Sequence, residues 1–167
     1  MGAADPTPAP DPVNVPMVRH WVDALDDRNP VYLDEEAATR TRFGGLIAPF
    51  AMLQTWTMSR PRIQGIAERG GAPDSYGENV ISVLDEAGYT ATRATDSELE
   101  FLRALRPGDR LASKAVLESV SDEKRTALGT GFFVTWVTTY TDARGEVVGR
   151  QRFRVLKFKP STPEEVA

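Results

Sequence analysis

Asp27, Asn29 and Tyr32, followed by the glycine pair Gly44–Gly45 and an apolar run opening at Ile47, are the residues of this chain whose types and spacing suit chemistry. A carboxylate such as Asp27 can orient a water molecule as a general base. The phenol of Tyr32 has a reference pKa near 10, about three units above the range of imidazole, so it suits hydrogen-bond donation better than proton abstraction. Gly44 and Gly45 allow a tight turn, and Ile47–Met58 (IAPFAMLQTWTM) predicts an apolar helix with Pro49 in its first turn. The N-terminus of such a helix directs backbone N–H groups toward an oxygen that carries negative charge. Pro49 removes one of those donors, and Phe50 adds a ring beside the rest. Gly45, Ile47, Ala48, Pro49 and Phe50 are therefore the expected substrate-binding stretch.

The elements that must position these residues are readable in outline. Asn14 caps a predicted amphipathic helix over Pro16–Leu25, in which Met17, Trp21, Ala24 and Leu25 share a face. Asn29–Pro30 ends that helical path, because the residue before proline is pushed out of the α region. Asp34, Glu35 and Glu36 open a further short helix, where carboxylates complement the dipole. Between Ser59 and Gly77 lies a loop rich in Arg, Gly and Pro, with one helical turn expected at Ile63–Glu68. Arg42, Arg60 and Arg62, with Arg69, are the candidates for meeting phosphate groups. A helix over Glu78–Ala87 stops at Gly88. Beyond it the period changes to two: strands are expected over Tyr89–Leu105, Leu111–Val120, Arg125–Thr141 and Val147–Phe158, with turns at Pro107–Asp109 and Asp142–Gly145. Gly129 and Gly131 mark a bend or bulge in the third of these strands. Helices followed by long strands with one buried face define an α+β class in which a curved antiparallel sheet wraps a helix.

The 167 residues make one domain's worth of core, and a net charge of −4 offers neither a basic stripe for nucleic acid nor a polybasic patch for membranes. Without cysteine there are no disulfides, thiolate metal sites or thiol nucleophiles; the single histidine, His20, excludes a multi-histidine metal site and reads as a surface or helix-packing residue. No apolar run reaches membrane-spanning length, and the start MGAADPTPAPDP lacks the pattern of a signal peptide, so a cytoplasmic protein is expected. Residues 1–11 read as a flexible arm that stays disordered or lies along a partner, and 161–167 as a loose tail.

The pattern D-x-N-P-x-(His)-x-D at residues 27–34, with Phe43-Gly44-Gly45-Leu46-Ile47-Ala48, resembles the hydratase-2 motif of MaoC-like enoyl-CoA hydratases of the hotdog fold. LDEAGY (84–89), LRPGDRL (105–111) and RVLKFKP (154–160) are similar to one branch of that family, the MaoC-like subunit of a heteromeric steroid side-chain enoyl-CoA hydratase of actinobacteria. The resemblance spans roughly residues 12–160, which it implies are a single hotdog domain. It further implies hydration of an enoyl thioester by an Asp and a His five residues later. Here Asp27 is kept, the His position is Tyr32, and Phe50 stands where the family commonly has Gly. The site of this chain is thus expected to be degenerate. A second MaoC-like subunit would supply Asp and His, in an assembly of two copies of each chain, on the bulky CoA thioesters of steroid breakdown such as cholesterol catabolism. Coenzyme A enters as part of the substrate, and no cofactor or metal is implied. A DUF35-type OB-fold domain and a lipid-transfer-type thiolase are further partners the branch suggests. Two other readings stand beside this one: a self-sufficient homodimeric hydratase or thioesterase using Asp27, and a non-enzymatic acyl-CoA-binding scaffold for a thiolase or OB-fold partner.

Overall fold

A computed structural model describes residues 5–58 and 79–160. In chain order they form β1 (Thr7–Pro8), α1 (Val15–Leu25), α2 (Glu35–Thr39), α3 (Val80–Glu86), β2 (Ala91–Phe101), β3 (Leu111–Val120), β4 (Lys124–Thr126), β5 (Gly129–Asp142) and β6 (Val147–Pro160), with 3-10 turns at Pro30–Tyr32, Phe50–Met52 and Gln54–Thr57. The strands make one antiparallel sheet in the order β1-β3-β5-β6-β2, with β4 paired to β5. This is the α+β class expected from the change of period. Among the described residues no helix is long and apolar enough to cross a membrane.

Local sequence accounts for most of the elements. The Asn14 side chain accepts from the Met17 amide and starts α1, whose buried residues Val18 and Val22 are four apart. Asn79 and Ser82 form a reciprocal capping box at the start of α3. The β5–β6 hairpin closes through Asp142, whose Oδ1 accepts from the amides of Arg144 and Glu146. Gly131, expected at a bend, is required by close approach instead: a Cβ there would meet the Lys157 carbonyl oxygen at 2.1 Å.

Three expectations are corrected. The apolar helix over Ile47–Met58 is absent; the chain there makes i→i−3 bonds, Met52 to Pro49 and Leu53 to Phe50, characteristic of 3-10 turns. The stretch is short, and the β-branched Thr55 and Thr57 add little helix propensity. Part of the expected N-terminal arm is held, since Thr7 pairs with Ser113, Pro8 with Ala112, and the Ala9 amide donates to Leu111. The first long strand is also shorter than the span Tyr89–Leu105, ending at Phe101. The helical turn at Ile63–Glu68 lies outside the described residues.

The chain divides into two compact units. The first, 5–58 with 99–115 and 138–151, buries Val18, Val22, Met52, Leu53 and Trp56 against Leu105, Tyr140 and Val148. A smaller cluster within it joins Val31, Ala38 and Ile47. The second unit, 79–98 with 116–137 and 152–160, centres on Leu84, Val134 and Val155. Inside it the side chain of Lys157 is 2% exposed, and its Nζ donates to Asp85 Oδ1 at 2.5 Å and Thr92 Oγ1 at 3.0 Å. A buried ammonium is tolerable only with partners of this kind.

Candidate functional site

Asp27 follows directly on Asp26, which leaves α1 in a left-handed conformation at φ 50°. The Asp27 amide closes the helix end on the Val22 carbonyl at 2.9 Å, while its carboxylate Oδ1 accepts from the Asn29 amide at 3.0 Å. Asn29 in turn accepts from the Val31 amide at 3.2 Å and caps the 3-10 turn that carries Tyr32. The two polar residues of the motif are therefore consecutive links of one turn.

Tyr32 is half-buried, packed against both apolar clusters of its unit. Burial first, and the Asp27 carboxylate second, push its phenol above the ordinary tyrosine range. A base must give up its proton near neutral pH, and Tyr32 is displaced in the wrong direction for that task. Asp34 caps α2 through the Ala37 amide, and Glu36 pairs with Arg40. Among the described residues no group of three His, Cys, Asp or Glu could hold a metal ion.

The glycine turn and the segment behind it are closed upon themselves. Gly44 and Gly45 have φ of 65° and 156°, and the Gly44 amide donates to Thr41. The amides expected to face a substrate oxygen are taken: Ile47 donates to the Val31 carbonyl at 3.4 Å and Ala48 to the Leu105 carbonyl at 2.8 Å. Ile47, Ala48 and Pro49 are buried. The ring of Phe50 lies 6.3 Å from that of Phe43 and 5.3 Å from that of Phe101, tilted to both, as aromatic rings prefer.

Of the expected phosphate contacts, Arg42 places its guanidinium 4.8 Å from the Phe43 ring centre. Arg60, Arg62 and Arg69 lie outside the described residues. A cavity of about 490 Å³ in the first unit is lined by none of the expected residues. It adjoins Arg103, which pairs with Asp109 at 2.6 Å and Asp142 at 3.2 Å. Three arginines and three carboxylates line it in balance, which makes it unsuited to an anion. Two contributors to the Phe43–Phe50 region were not singled out in the sequence. Phe101 ends β2, and Arg106 sits in the LRPGDRL motif, which gave the only hint of it.

The sheet order and the helix-bearing units define a protein of the hotdog class, and the comparisons agree. The chain belongs to the family of the FAS1-like dehydratase region, MaoC-like hotdog proteins, whose family model matches residues 1–151. It is 49% identical over 163 residues to a probable enoyl-CoA hydratase alpha subunit of Thermomonospora curvata, covering 96% of this chain and 50% of that one. It is 39% identical over 160 residues to the 3-oxo-4,17-pregnadiene-20-carboxyl-CoA hydratase alpha subunit of Mycobacterium tuberculosis, covering 96% and 49%. The chain thus spans about half the length of these curated relatives. One chain of the ChsH1–ChsH2 complex of Mycobacterium tuberculosis superimposes with a TM-score of 0.83 at 38% identity, over 96% of this chain and 90% of that one.

Proposed function

We propose that this chain is the non-catalytic MaoC-like subunit of a heteromeric enoyl-CoA hydratase, acting in the cytosol on a bulky, steroid-like acyl thioester. The observation that carries the reading is the state of the motif itself. Asp27 is bonded into the Asn29 turn, a phenol with a raised pKa stands at the histidine position, and the Ile47 and Ala48 amides are bonded internally.

Hydration adds a water oxygen to the β-carbon and a proton to the α-carbon while charge develops on the thioester oxygen, so it requires a base, an acid and oxyanion donors. This chain's own motif supplies none of them in usable form. In the proposed assembly the partner subunit contributes the Asp–His pair. The present chain contributes the half-buried Phe50 ring, backed by the buried Ile47, Ala48 and Pro49, as the apolar wall against which a large rigid acyl group is held without a second reaction centre. The similarity to alpha subunits and to a chain of a two-component complex supports the heteromeric assembly.

The test is hydration of a steroid side-chain enoyl-CoA by the chain alone and after co-expression with a MaoC-like chain that retains Asp and His, with mass recorded by light scattering. Turnover confined to a mixed assembly of two copies of each chain is expected. Comparable turnover by the chain alone refutes the proposal.

A further inference from the structure

We propose that Arg106 is a positioning residue that fixes the Gly45–Phe50 wall, an inference that rests on the role given to that wall above. The Arg106 guanidinium donates from Nη2 to the Phe43 carbonyl. Its Nη1 occupies the space over Gly45, where an added Cβ would approach it to 3.3 Å. One side chain thus grips both ends of the turn: the carbonyl that enters it and the glycine that leaves it.

The grip is anchored from behind. The Arg106 amide donates to Asp109 Oδ2 at 2.9 Å, and the same carboxylate pairs with Arg103, which also pairs with Asp142 in the β5–β6 turn. The residue before Arg106 accepts from Ala48 through the Leu105 carbonyl. Arg106 and Leu105 therefore hold the Phe43–Ala48 backbone at two points from a loop that is itself braced by ion pairs. Phe43, whose carbonyl Arg106 holds, flanks Phe50. A planar guanidinium suits this task because it can direct one nitrogen to the Phe43 carbonyl while a second stands over Gly45; a lysine ammonium has a single nitrogen.

Because the chemistry belongs to the partner, loosening this wall should alter substrate binding and leave the chemical step alone. The experiment compares the assembled complex carrying wild-type chain, Arg106→Ala, Arg106→Gln or Arg106→Lys, with steroid side-chain enoyl-CoA as substrate. For Arg106→Ala and Arg106→Gln, KM is expected to rise about fivefold or more with kcat within about twofold. Amide exchange in the peptide covering 43–50 should rise about tenfold, with that of α1 unchanged. Arg106→Lys should recover part of both. A fall in Tm with KM and exchange in 43–50 unchanged would overturn the proposal, since Arg106 would then be a structural contact alone. A lysine variant with wild-type KM but raised exchange would also overturn it, because charge alone would then suffice. If the wild-type complex shows no turnover, the functional reading fails, and exchange in 43–50 still decides whether Arg106 holds the turn.

Discussion

Asp27 acts on Tyr32 through its charge, yet its carboxylate takes a hydrogen bond from the Asn29 amide and not from the phenol. On the proposed function, these two residues at the spacing of a catalytic pair serve as a turn carboxylate and a packing residue. Asp27→Asn keeps an oxygen that can accept from Asn29, and Tyr32→Phe keeps the ring. Each change should leave the turnover of the assembled complex within about threefold, and stability within about 1 kcal/mol. Steady-state kinetics of the two complexes check this; a hundredfold loss in either would restore a catalytic role to this chain.

Removing the partner of a buried charge should be costly in the second unit. Asp85→Ala leaves the Lys157 ammonium inside the protein without its carboxylate. Breaking a buried pair costs about 3–5 kcal/mol, and the partial exposure of Asp85 places this case near 3 kcal/mol, or roughly 6–12 °C in Tm. Lys157→Met, which removes the charge and keeps the apolar stem, should cost markedly less. Thermal melts of the two variants give the order, and the reverse order would contradict the account of Lys157.

Alkaline pH should expose Tyr140. Burial pushes its phenol up to about 12, and its hydroxyl donates to Gln151 Oε1 at 2.9 Å. The folded state therefore binds this proton more tightly than the unfolded chain. The resulting stability is complete below pH 10 and is lost as pH rises toward 12, by about 2–3 kcal/mol. Denaturant midpoints measured from pH 9 upward should fall steeply for the wild type and less steeply for Tyr140→Phe. Parallel slopes would mean that Tyr140 does not titrate as its burial requires.

Gly131→Ala should disturb the sheet at a close approach of β5 and β6. Its Cβ would lie 2.1 Å from the Lys157 carbonyl and 2.7 Å from Phe158 Cα, so backbone must move. A cost of about 2–3 kcal/mol is expected. Gly108→Ala separates steric contact from backbone strain, because a Cβ there meets nothing within 4 Å while φ is left-handed at 95°, which is not so at Gly131. A melt in which Gly131→Ala is as stable as wild type would refute the close approach.

The α+β class was legible because its signals are local. Asn14 caps α1 where a cap residue precedes helical spacing, and the change to period two after Gly88 announces the strands. The turn at Asp142–Gly145 was equally plain. The Ile47–Met58 segment was not, because its apolar residues satisfy a helical period while its backbone settles into 3-10 turns that periodicity cannot distinguish. The site was half legible. Asn29 as a turn residue follows from residue type, whereas the capture of the Ile47 and Ala48 amides depends on carbonyls at Val31 and Leu105. Arg106 was out of reach for the same reason: its partner, Phe43, is 63 residues away.

The Asp142 turn also bears on how the chain folds. Its carboxylate binds two amides within four residues, so β5 and β6 can begin to zip with almost no loop-closure entropy, whereas β2 must find β6, and β3 must find β1, from far along the chain. Asp142 is then a nucleation residue: Asp142→Ala should slow refolding, while Asp85→Ala, acting on a contact made late, should chiefly hasten unfolding. A chevron plot of each variant separates the two limbs, and an unchanged refolding limb for Asp142→Ala would remove the hairpin from the nucleus. The residue that ties the Arg103 brace together in the finished protein is, on this view, among the first to be set in place.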